Sequence, residues 1–269
     1  MSNDLAQQLK ALHKPGTPVV FPNVWDISSF KSVTSLNTET SKPVKAIATA
    51  SWAVAATYGI QDEELTLEQN FEAISKIAPL AKAAGIPLSA DLQDGYGSNI
   101  ASVVKRAVEL GVVGANIEDV REEPDTFYPI DEQVQRIKTA LKAAADAGCP
   151  DFVINARCDV FHANNSASEA EALKEAITRG KAYLEAGATT VFYWGGSERG
   201  LRNAWVETLV KELNGRVAVK LAHRTAGALS TKELAEIGVA RISVGPSLFH
   251  LAQAAAKEGA ARILSGGNL

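Results

Sequence analysis

Short apolar runs alternate along this chain with longer amphipathic segments rich in alanine, and a glycine stands at five of the junctions between them. The five junction glycines are Gly85, Gly111, Gly148, Gly187 and Gly238. Glycine tolerates the left-handed conformation that ends a helix, and the apolar run that follows is typical of a buried parallel strand. The repeated order of helix, glycine and strand is therefore half of a β/α unit.

Eight apolar runs predict eight strands. These are Val19 to Asn23, Ala46 to Ser51, Pro87 to Asp91, Ala115 to Asp119, Phe152 to Arg157, Thr190 to Trp194, Val217 to Leu221 and Arg241 to Val244. The helical patterns between them include Phe71 to Ala84, Ile100 to Leu110, Glu132 to Ala147, Glu169 to Ala186 and Leu248 to Ala261. Strict alternation over this many units favours an α/β fold of the closed (β/α)8 TIM barrel type. An open doubly wound sheet is the alternative, because periodicity cannot show closure.

Length and composition agree with one barrel domain. The chain has 269 residues, of which 46% are hydrophobic, and barrels of this type commonly reach about 250 residues as one domain. We therefore predict a single domain over residues 1–269, with a helical extension at residues 1–16 and a final helix at residues 246–269.

Charge and hydropathy exclude several classes of partner. The 27 basic and 31 acidic residues give a net charge of -4 without a basic cluster, which disfavours nucleic acid. No stretch approaches the ~20 apolar residues that span a bilayer, and the polar N-terminus lacks the apolar core of a signal peptide. Cys149 and Cys158 have neither the number nor the spacing of a disulfide framework or a metal site. These features predict a soluble cytoplasmic protein with no membrane partner.

Polar residues at the ends of the predicted strands are the candidate functional residues, because TIM barrels carry out catalysis at the C-terminal ends of their strands. Asp91 and Glu118 end neighbouring strands, with little opposing charge nearby in the sequence. A divalent cation would relieve their repulsion, and ligands that are oxygen only favour a hard ion such as Mg²⁺. The alternative is that these acids cap helices or pair with lysines at the rim.

Arg157 ends an otherwise apolar strand, where a guanidinium is costly without an anionic partner. Its planar fork suits a carboxylate or a phosphonate, which points to an acidic substrate beside the metal. A structural salt bridge to Glu118 or Asp159 is the alternative.

The segment that follows the second strand, from Tyr58 to Glu64, is acidic and longer than a typical connection. Long loops at this face of a barrel often act as lids, so Asp62 could be carried in and out of the site. A solvated surface loop explains the same pattern.

Six phrases carry a more specific signal. They are Asn23-Val24-Trp25-Asp26, Ala48-Thr49-Ala50-Ser51-Trp52-Ala53-Val54-Ala55, Ala90-Asp91-Leu92-Gln93-Asp94-Gly95-Tyr96-Gly97, Asn116-Ile117-Glu118-Asp119, Val153-Ile154-Asn155-Ala156-Arg157 and Val244-Gly245-Pro246-Ser247-Leu248. In this order they resemble the motifs of the isocitrate lyase and phosphoenolpyruvate mutase superfamily, over about residues 23–261. The nearest members are short proteins labelled carboxyvinyl-carboxyphosphonate phosphorylmutase or phosphonomutase-like.

The resemblance implies a site that binds Mg²⁺, with Mn²⁺ as a possible substitute, and that makes or breaks a C–C or P–C bond in a small 2-oxo acid through an enolate. The implied metal residues are Asp91 as the closest acid, Glu118 through bound water, and Gln93. The implied catalytic residues are Asp62 on a gating loop, Glu118 and Arg157. The candidate substrate-binding residues are Ala50, Ser51, Trp52, Asn155, Arg157 and His223. The resemblance also implies a homo-oligomer, a tetramer or a dimer, whose last helix packs on a neighbouring subunit.

Three positions depart from the family pattern. Isocitrate and methylisocitrate lyases carry a Lys-(Lys/Arg)-Cys-Gly-His loop after the fourth strand, where this chain has Val120-Arg121-Glu122-Glu123-Pro124. The mutases have a lysine at the position of Val120, so phosphoryl migration is also disfavoured. Gln93 replaces the second acid of the family's metal motif, and Trp194 stands where relatives place a His or Glu.

Four hypotheses about function follow. The leading one is a Mg²⁺-dependent lyase or decarboxylase that cleaves a C–C bond in a small 2-oxo or 2-hydroxy (di)carboxylate. A mutase or hydrolase that acts on the P–C bond of a phosphonate is the second, and a barrel that binds a metabolite without turning it over is the third. Lys220 in the seventh strand raises a fourth, a Schiff-base aldolase, although nothing nearby in the sequence obviously lowers its pKa.

Overall fold

The computed structural model describes residues 2–121, 126–162, 168–195, 201–222 and 227–268. Within these ranges the strands are β1 (Val19–Phe21), β2 (Asn23–Val24), β3 (Ile47–Thr49), β4 (Leu88–Asp91), β5 (Gly114–Glu118), β6 (Val153–Cys158), β7 (Thr190–Tyr193), β8 (Val217–Lys220) and β9 (Arg241–Ser243). The helices are α1 (Ser2–Leu12), α2 (Ile27–Thr34), α3 (Ser51–Tyr58), α4 (Leu67–Ala83), α5 (Ile100–Leu110), α6 (Ile130–Asp146), α7 (Glu169–Glu185), α8 (Asn203–Glu212), α9 (Thr231–Ile237) and α10 (Ser247–Leu264). The predicted alternation of strands and helices is confirmed.

The sheet is parallel throughout and closes on itself. Its order is β1-β9-β8-β7-β6-β5-β4-β3-β2, and only Pro22 separates β1 from β2 along the chain. These two short strands therefore occupy together one of the eight strand positions, or staves, of the barrel. They are separated at a residue that has no backbone N–H to donate. The first half pairs with β9 and the second with β3. The prediction of a (β/α)8 barrel is confirmed, and the open sheet is excluded.

Element ends follow the predicted glycines but not every predicted boundary. All five junction glycines have positive φ, as the helix-glycine-strand pattern requires. The second predicted strand, Ala46 to Ser51, is too long, because β3 ends at Thr49 and Ser51 already begins α3. The run after Ser51 is apolar on all sides, so it carries no helical period that sequence reasoning could detect.

The inside of the barrel holds a polar layer below the mouth, built on Arg241. Arg241 is fully buried, and its Nη2 donates to Asn116 Oδ1 at 3.2 Å. Asn155 Nδ2 donates to the same oxygen at 2.8 Å, and Thr190 Oγ1 donates to Asn155 Oδ1 at 2.7 Å. The guanidinium also stacks over the Phe21 ring, with Cζ 4.0 Å from the ring centroid. This network fills the inside of the barrel at this level with polar side chains that are hydrogen bonded to one another.

His13 follows α1 and faces the same layer from below. Its Nδ1 donates to the Leu9 carbonyl at 2.8 Å, and its ring lies 5.9 Å from that of Phe21. Burial, and then the charge of Arg241, lower the pKa of His13 from 6.5 to about 3. The folded protein therefore keeps this imidazole neutral at pH values where the unfolded chain protonates it.

This difference predicts a pH dependence of stability. The unfolded state gains a proton on His13 below about pH 6.5, so the contribution of His13 is complete above that pH and is lost as the pH falls towards 3. Relative to a His13→Phe variant, the wild type should lose about 2 kcal/mol of unfolding free energy between pH 7 and pH 5. Urea unfolding at both pH values measures this. If His13→Phe keeps the pH dependence of the wild type, then His13 is not the group that titrates on unfolding.

The two ends of the chain differ in how they pack. On α1, Ala6 and Leu9 are fully buried in the barrel core, whereas no residue of α10 is buried. Within the described ranges, no helix combines the length and apolar character that crossing a membrane requires. The division into one domain with an N-terminal extension and a C-terminal helix stays a prediction.

Candidate active site

The strand register brings three of the predicted residues together at the C-terminal mouth of the barrel. Asp91 pairs with Asn116, and Glu118 pairs with Arg157, so that these side chains lie on neighbouring inward positions of β4, β5 and β6. Residues paired across parallel strands point to the same face of the sheet. The strand-end pattern predicted that Asp91, Glu118 and Arg157 lie at one mouth of the barrel. In the structure they lie there.

Asp91 is oriented by the turn that follows β3. The backbone N and the Oγ of Ser51 both donate to Asp91 Oδ2 at 3.2 Å, and Asp91 N donates to Thr49 Oγ1 at 2.8 Å. The other carboxylate oxygen, Oδ1, is buried with no partner among the described residues. A buried carboxylate oxygen without a donor is costly unless a ligand supplies positive charge.

Arg157 is held between two carboxylates. Its Nη1 donates to Glu118 Oε1 at 2.5 Å, and its Nε donates to Asp159 Oδ1 at 2.9 Å. Burial opposes the charged guanidinium, but Asp159, Glu118 and Asp91 more than offset it and raise the pKa of Arg157. Both salt bridges that were the alternative to substrate binding are therefore present. Of the five guanidinium N–H groups, two on the terminal nitrogens remain for another anion.

Burial is also the main cause that raises the pKa of Glu118 well above its ordinary value. The charge of Arg157 opposes this shift, while Asp159, Asp91 and Asp62 add to it. The carboxylate of Glu118 is thus repelled by three acids and balanced by one arginine.

Asp62 reaches the same cluster from the segment between α3 and α4. It begins a short 3-10 turn, Asp62–Glu64. Gln93 Nε2 donates to the Asp62 carbonyl at 2.7 Å and to Asp62 Oδ1 at 3.3 Å. Burial, and then the charge of Asp91, raise the pKa of Asp62 to about 6. Gln93, which the resemblance places beside the metal, thus uses its amide nitrogen to hold the loop that carries Asp62.

The remaining predicted residues lie in different surroundings. Ala50 and Ser51 stand at the N-terminus of α3, but the Trp52 ring packs on His250 of α10, with the ring centroids 4.6 Å apart. Asn155 is fully buried in the polar layer below the mouth, where both its amide atoms are hydrogen bonded. His223 lies outside the described residues.

An aromatic pair that the strand-end pattern did not predict covers one side of the mouth. His162 stacks on Trp194 with ring centroids 4.2 Å apart, and the Trp194 ring lies 5.2 Å from Arg157 Cζ. The polar residues after the fifth predicted strand were the available signal, since His162 follows Asp159 by three positions. Trp194 therefore narrows the mouth beside Arg157.

The charge balance of the mouth tests whether a cation fits. Four carboxylates (Asp62, Asp91, Glu118 and Asp159) lie around the guanidinium of Arg157, and the buried guanidinium of Arg241 also acts on Asp91 from the layer below. No three acidic, histidine or cysteine side chains converge as direct ligands of one ion in the described part of the chain. Mg²⁺ is commonly held by one or two carboxylates with water as its other ligands. The free oxygen of Asp91 and the excess of negative charge fit that mode of binding.

The loop carrying Asp62 supplies a prediction about motion. We expect slower hydrogen exchange across residues 58–65 when Mg²⁺ and oxalate, an enolate mimic, are both added, because the acids that now repel Asp62 would be neutralised. Mass spectrometry with and without the two ligands measures this. Exchange at residues 100–110 of α5, which packs on the outside of the barrel, is the internal reference. Equal exchange at residues 58–65 in both states would contradict gating.

Comparison with known proteins identifies the family of this chain. The family model of phosphoenolpyruvate phosphomutase matches residues 9–264. A protein of Mycobacterium tuberculosis (strain ATCC 25618 / H37Rv) described as uncharacterized is 28% identical over 261 residues, which cover 95% of this chain and 88% of that protein. The 2-methylisocitrate lyase of Escherichia coli (strain K12) is 34% identical over 131 residues, 45% of this chain and 41% of the lyase.

Solved structures share the fold over nearly the whole chain. A crystal structure described as a "putative phosphonomutase" from Burkholderia cenocepacia J2315 has a TM-score of 0.84 and 32% identity, and covers 99% of this chain and 100% of that one. The structure of 2,3-dimethylmalate lyase has a TM-score of 0.79 at 24% identity, which shows a shared fold alone. The match to the family model and the barrel's architecture together establish that the chain belongs to the phosphoenolpyruvate phosphomutase family, within the isocitrate lyase and phosphoenolpyruvate mutase superfamily.

Proposed function

We propose that the protein is a cytoplasmic Mg²⁺-dependent enzyme that cleaves a C–C bond in a small 2-oxo or 2-hydroxy (di)carboxylate through an enolate. The observation that carries this proposal is the free, buried oxygen of Asp91 within a cluster of four carboxylates and one arginine. Asp91, with Glu118 and Gln93 beside it, would hold the ion. A bound Mg²⁺ would supply positive charge where the substrate oxygen becomes negative as the bond breaks.

The protein's own groups would bind and enclose the substrate. Arg157 would use its two remaining N–H groups for the substrate carboxylate, while Glu118 and Asp159 fix the plane of the guanidinium. The backbone at the N-terminus of α3, from Ala50 to Trp52, would add the N–H of Trp52, since the N–H of Ser51 already donates to Asp91 and a helix N-terminus favours an anion. Asp62 would close over the mouth and exclude water that would otherwise protonate an enolate early.

The relatives support a substrate with more than one carboxylate. The curated matches include a 2-methylisocitrate lyase and the 2,3-dimethylmalate lyase of Eubacterium barkeri, which is 30% identical over 127 residues. Methylisocitrate and dimethylmalate are both 2-hydroxy acids with several carboxylates. A multiply charged hydroxy or oxo acid is therefore the first substrate class to test.

The test is a product assay with purified protein and Mg²⁺. A panel of 2-oxo acids and malate derivatives is incubated, and release of pyruvate or another 2-oxo acid, or of CO₂, is followed. Product that requires Mg²⁺ and disappears in an Asp91→Ala variant supports the proposal. Ligand binding that requires Mg²⁺ without any product would instead favour the barrel that only binds a metabolite.

Phosphonate chemistry is the second candidate function. It is favoured by the phosphonomutase-like structure, which at 32% identity covers 99% of this chain. Val120, in place of the mutase lysine, weighs against phosphoryl migration but not against cleavage of a P–C bond. Phosphorus NMR of phosphonopyruvate incubated with the protein separates migration, which moves the phosphorus resonance to that of a phosphate ester, from hydrolysis, which releases inorganic phosphate.

The proposal includes a homo-oligomer, a tetramer or a dimer, in which α10 packs on a second copy of the chain. No residue of α10 is buried, and two of its large apolar side chains, Leu251 and Leu264, are 65% and 87% exposed. Only the start of the helix is anchored, where the Phe249 ring lies 5.1 Å from that of Trp25. Large apolar side chains left exposed in this way are typical of an interface between subunits.

We therefore expect a Leu251→Glu, Leu264→Glu double variant to sediment as a smaller species than the wild type. The buried charges would cost more than a stable interface gains from those two side chains. Lys142→Glu, a charge change at an exposed position of α6, is the control and should leave the sedimentation coefficient unchanged. Identical sedimentation of the double variant and the wild type would mean that α10 does not form the interface.

A further inference from the structure

Lys220, the last residue of β8, faces the inside of the barrel. Ala218 is paired with Arg241 and Lys220 with Ser243. Arg241 points inward, because it contacts Asn116 and Ser89 across the barrel, and its Nε lies 3.5 Å from Ser243 Oγ. Paired residues of parallel strands share a face, so Lys220 lies at the mouth, one inward position above the polar layer.

The closed order of the strands places Lys220 opposite Asp91. From β4 to β8 there are four steps through β5, β6 and β7, and four steps the other way through β3, the β1-β2 stave and β9. In a ring of eight staves these two strands are diametrically opposed. A ligand that binds an ion at Asp91 and extends across the mouth would therefore end near Lys220.

The aliphatic stem of Lys220 lies against Gly245, where a Cβ atom would meet Lys220 Cε at 3.1 Å. Gly245 has a φ of +54°, a conformation that side chains rarely adopt. Gly245 therefore makes room for the side chain of Lys220 at the end of β8.

Lys220, like Arg157, is a cation at an inward strand end, but the two differ in their acidic partners. Arg157 is paired with Glu118 and Asp159, whereas no acidic or hydrogen-bonding partner of Lys220 is found among the described residues. Burial alone lowers the pKa of Lys220. A half-buried ammonium without a counter-ion is costly, and an anionic ligand would remove that cost.

We propose that Lys220 binds the second anionic group of the substrate, a carboxylate or a phosphonate, at the side of the mouth opposite Asp91. This inference rests on the proposed function and narrows its substrate class to dianions. An acid with a single carboxylate could satisfy Arg157 but would leave Lys220 without a partner. Lys220 is then the residue that selects substrates by their second charge.

An ionic contact fits the surroundings better than a covalent imine. Formation of an imine needs a base that takes the ammonium proton and an acid that donates a proton to the departing hydroxyl, which leaves as water. Among the described residues, no side chain forms an ion pair or a hydrogen bond with Lys220 through which these protons could move. The described part of the chain therefore favours the ionic contact.

The experiment measures binding of matched ligand pairs by calorimetry in the presence of Mg²⁺. Malate differs from lactate by one carboxylate, and phosphonopyruvate differs from pyruvate by one phosphonate. We expect Lys220→Met to weaken the dianion of at least one pair by about tenfold to a hundredfold and to leave the monoanions unchanged. Lys220→Arg should keep most of the affinity, and Lys105→Met, on the outside of α5, should match the wild type.

The outcomes separate this inference from the proposed function. Equal weakening of dianions and monoanions, or no preference of the wild type for a dianion, would overturn the role of Lys220 even if C–C cleavage is observed. Preference lost in the malate pair alone indicates a carboxylate partner, and loss in the phosphonopyruvate pair alone indicates a phosphonate. A pyruvate adduct on Lys220 after reduction with borohydride would replace the ionic contact by a covalent one. A preference for dianions that depends on Lys220, in a protein that forms no product, would refute the lyase while supporting the role of Lys220.

Discussion

Replacing Asp91 by alanine is expected to abolish the stabilisation that Mg²⁺ gives the protein, and with it any activity that depends on the metal. At a Mg²⁺ concentration about 100 times its dissociation constant, the wild type should gain about 2.7 kcal/mol of unfolding free energy. For a domain of this size the melting temperature then rises by roughly 5–10 °C. Asp91→Ala should show no rise, because it removes the buried oxygen that has no other partner.

The same variant should behave differently without metal. Asp91 repels Asp62 and Glu118, and the charges of Arg157 and Arg241 offset only part of the negative charge there, so loss of one carboxylate relieves repulsion. We therefore expect only a small drop in melting temperature for Asp91→Ala when both proteins are free of metal. The drop should not exceed what the loss of the two hydrogen bonds from Ser51 explains. Asp146→Ala, an exposed acid on α6, is the matched control and should respond to Mg²⁺ like the wild type. Full stabilisation of Asp91→Ala by Mg²⁺ would refute the assignment.

How far the sequence predicts this site depends on strand register. Asp91, Glu118 and Arg157 end apolar runs, and in a parallel barrel the ends of all runs meet at one mouth, so their proximity followed from the pattern. The depth of each residue below the mouth was harder to predict from the pattern. Asn155 precedes Arg157 by two positions on the same inward face, which places it one layer deeper, bonded to Asn116 and Thr190.

Side-chain direction outside the strands was harder still to predict. Gln93 follows β4 with a φ of 50°, a backbone turn that sends its amide towards the Asp62 loop. Trp52 lies on the first turn of α3, and its ring is drawn to the aromatic start of α10. Both outcomes depend on contacts between segments that are distant in the sequence, which neither periodicity nor spacing encodes.

The charges of Arg157 and Lys220 show why residue type alone could not assign their roles. Both are cations at inward strand ends, and the sequence offered an acidic partner for the arginine two positions later. The structure shows that Asp159 and Glu118 do pair with Arg157 and that Lys220 has no such partner among the described residues. Of the two cations, Lys220 is therefore the one that has no acidic partner among the described residues.

Replacing Arg157 by lysine should have the second large effect, a loss of about tenfold to a hundredfold in affinity for oxalate or pyruvate. A lysine is a point charge, so it cannot bridge Glu118 and Asp159 and still offer two parallel N–H groups to a carboxylate. Calorimetry in the presence of Mg²⁺ measures the affinity, and the melting temperature reports whether the fold survives. Arg106→Lys, which alters a bidentate pair with Glu68 on the surface, is the control and should bind like the wild type.

The two salt bridges of Arg157 make the interpretation of this variant specific. If Arg157 only neutralises Glu118 and Asp159, then Arg157→Lys should lower the melting temperature while the affinity for oxalate stays unchanged. If it also binds the substrate carboxylate, affinity should fall even where the melting temperature is restored by added Mg²⁺, because the ion compensates the acids but supplies no planar pair of donors. Affinity that recovers together with stability would leave Arg157 as an ion-pair residue, and the substrate carboxylate would then depend on the backbone at the start of α3 and on Lys220.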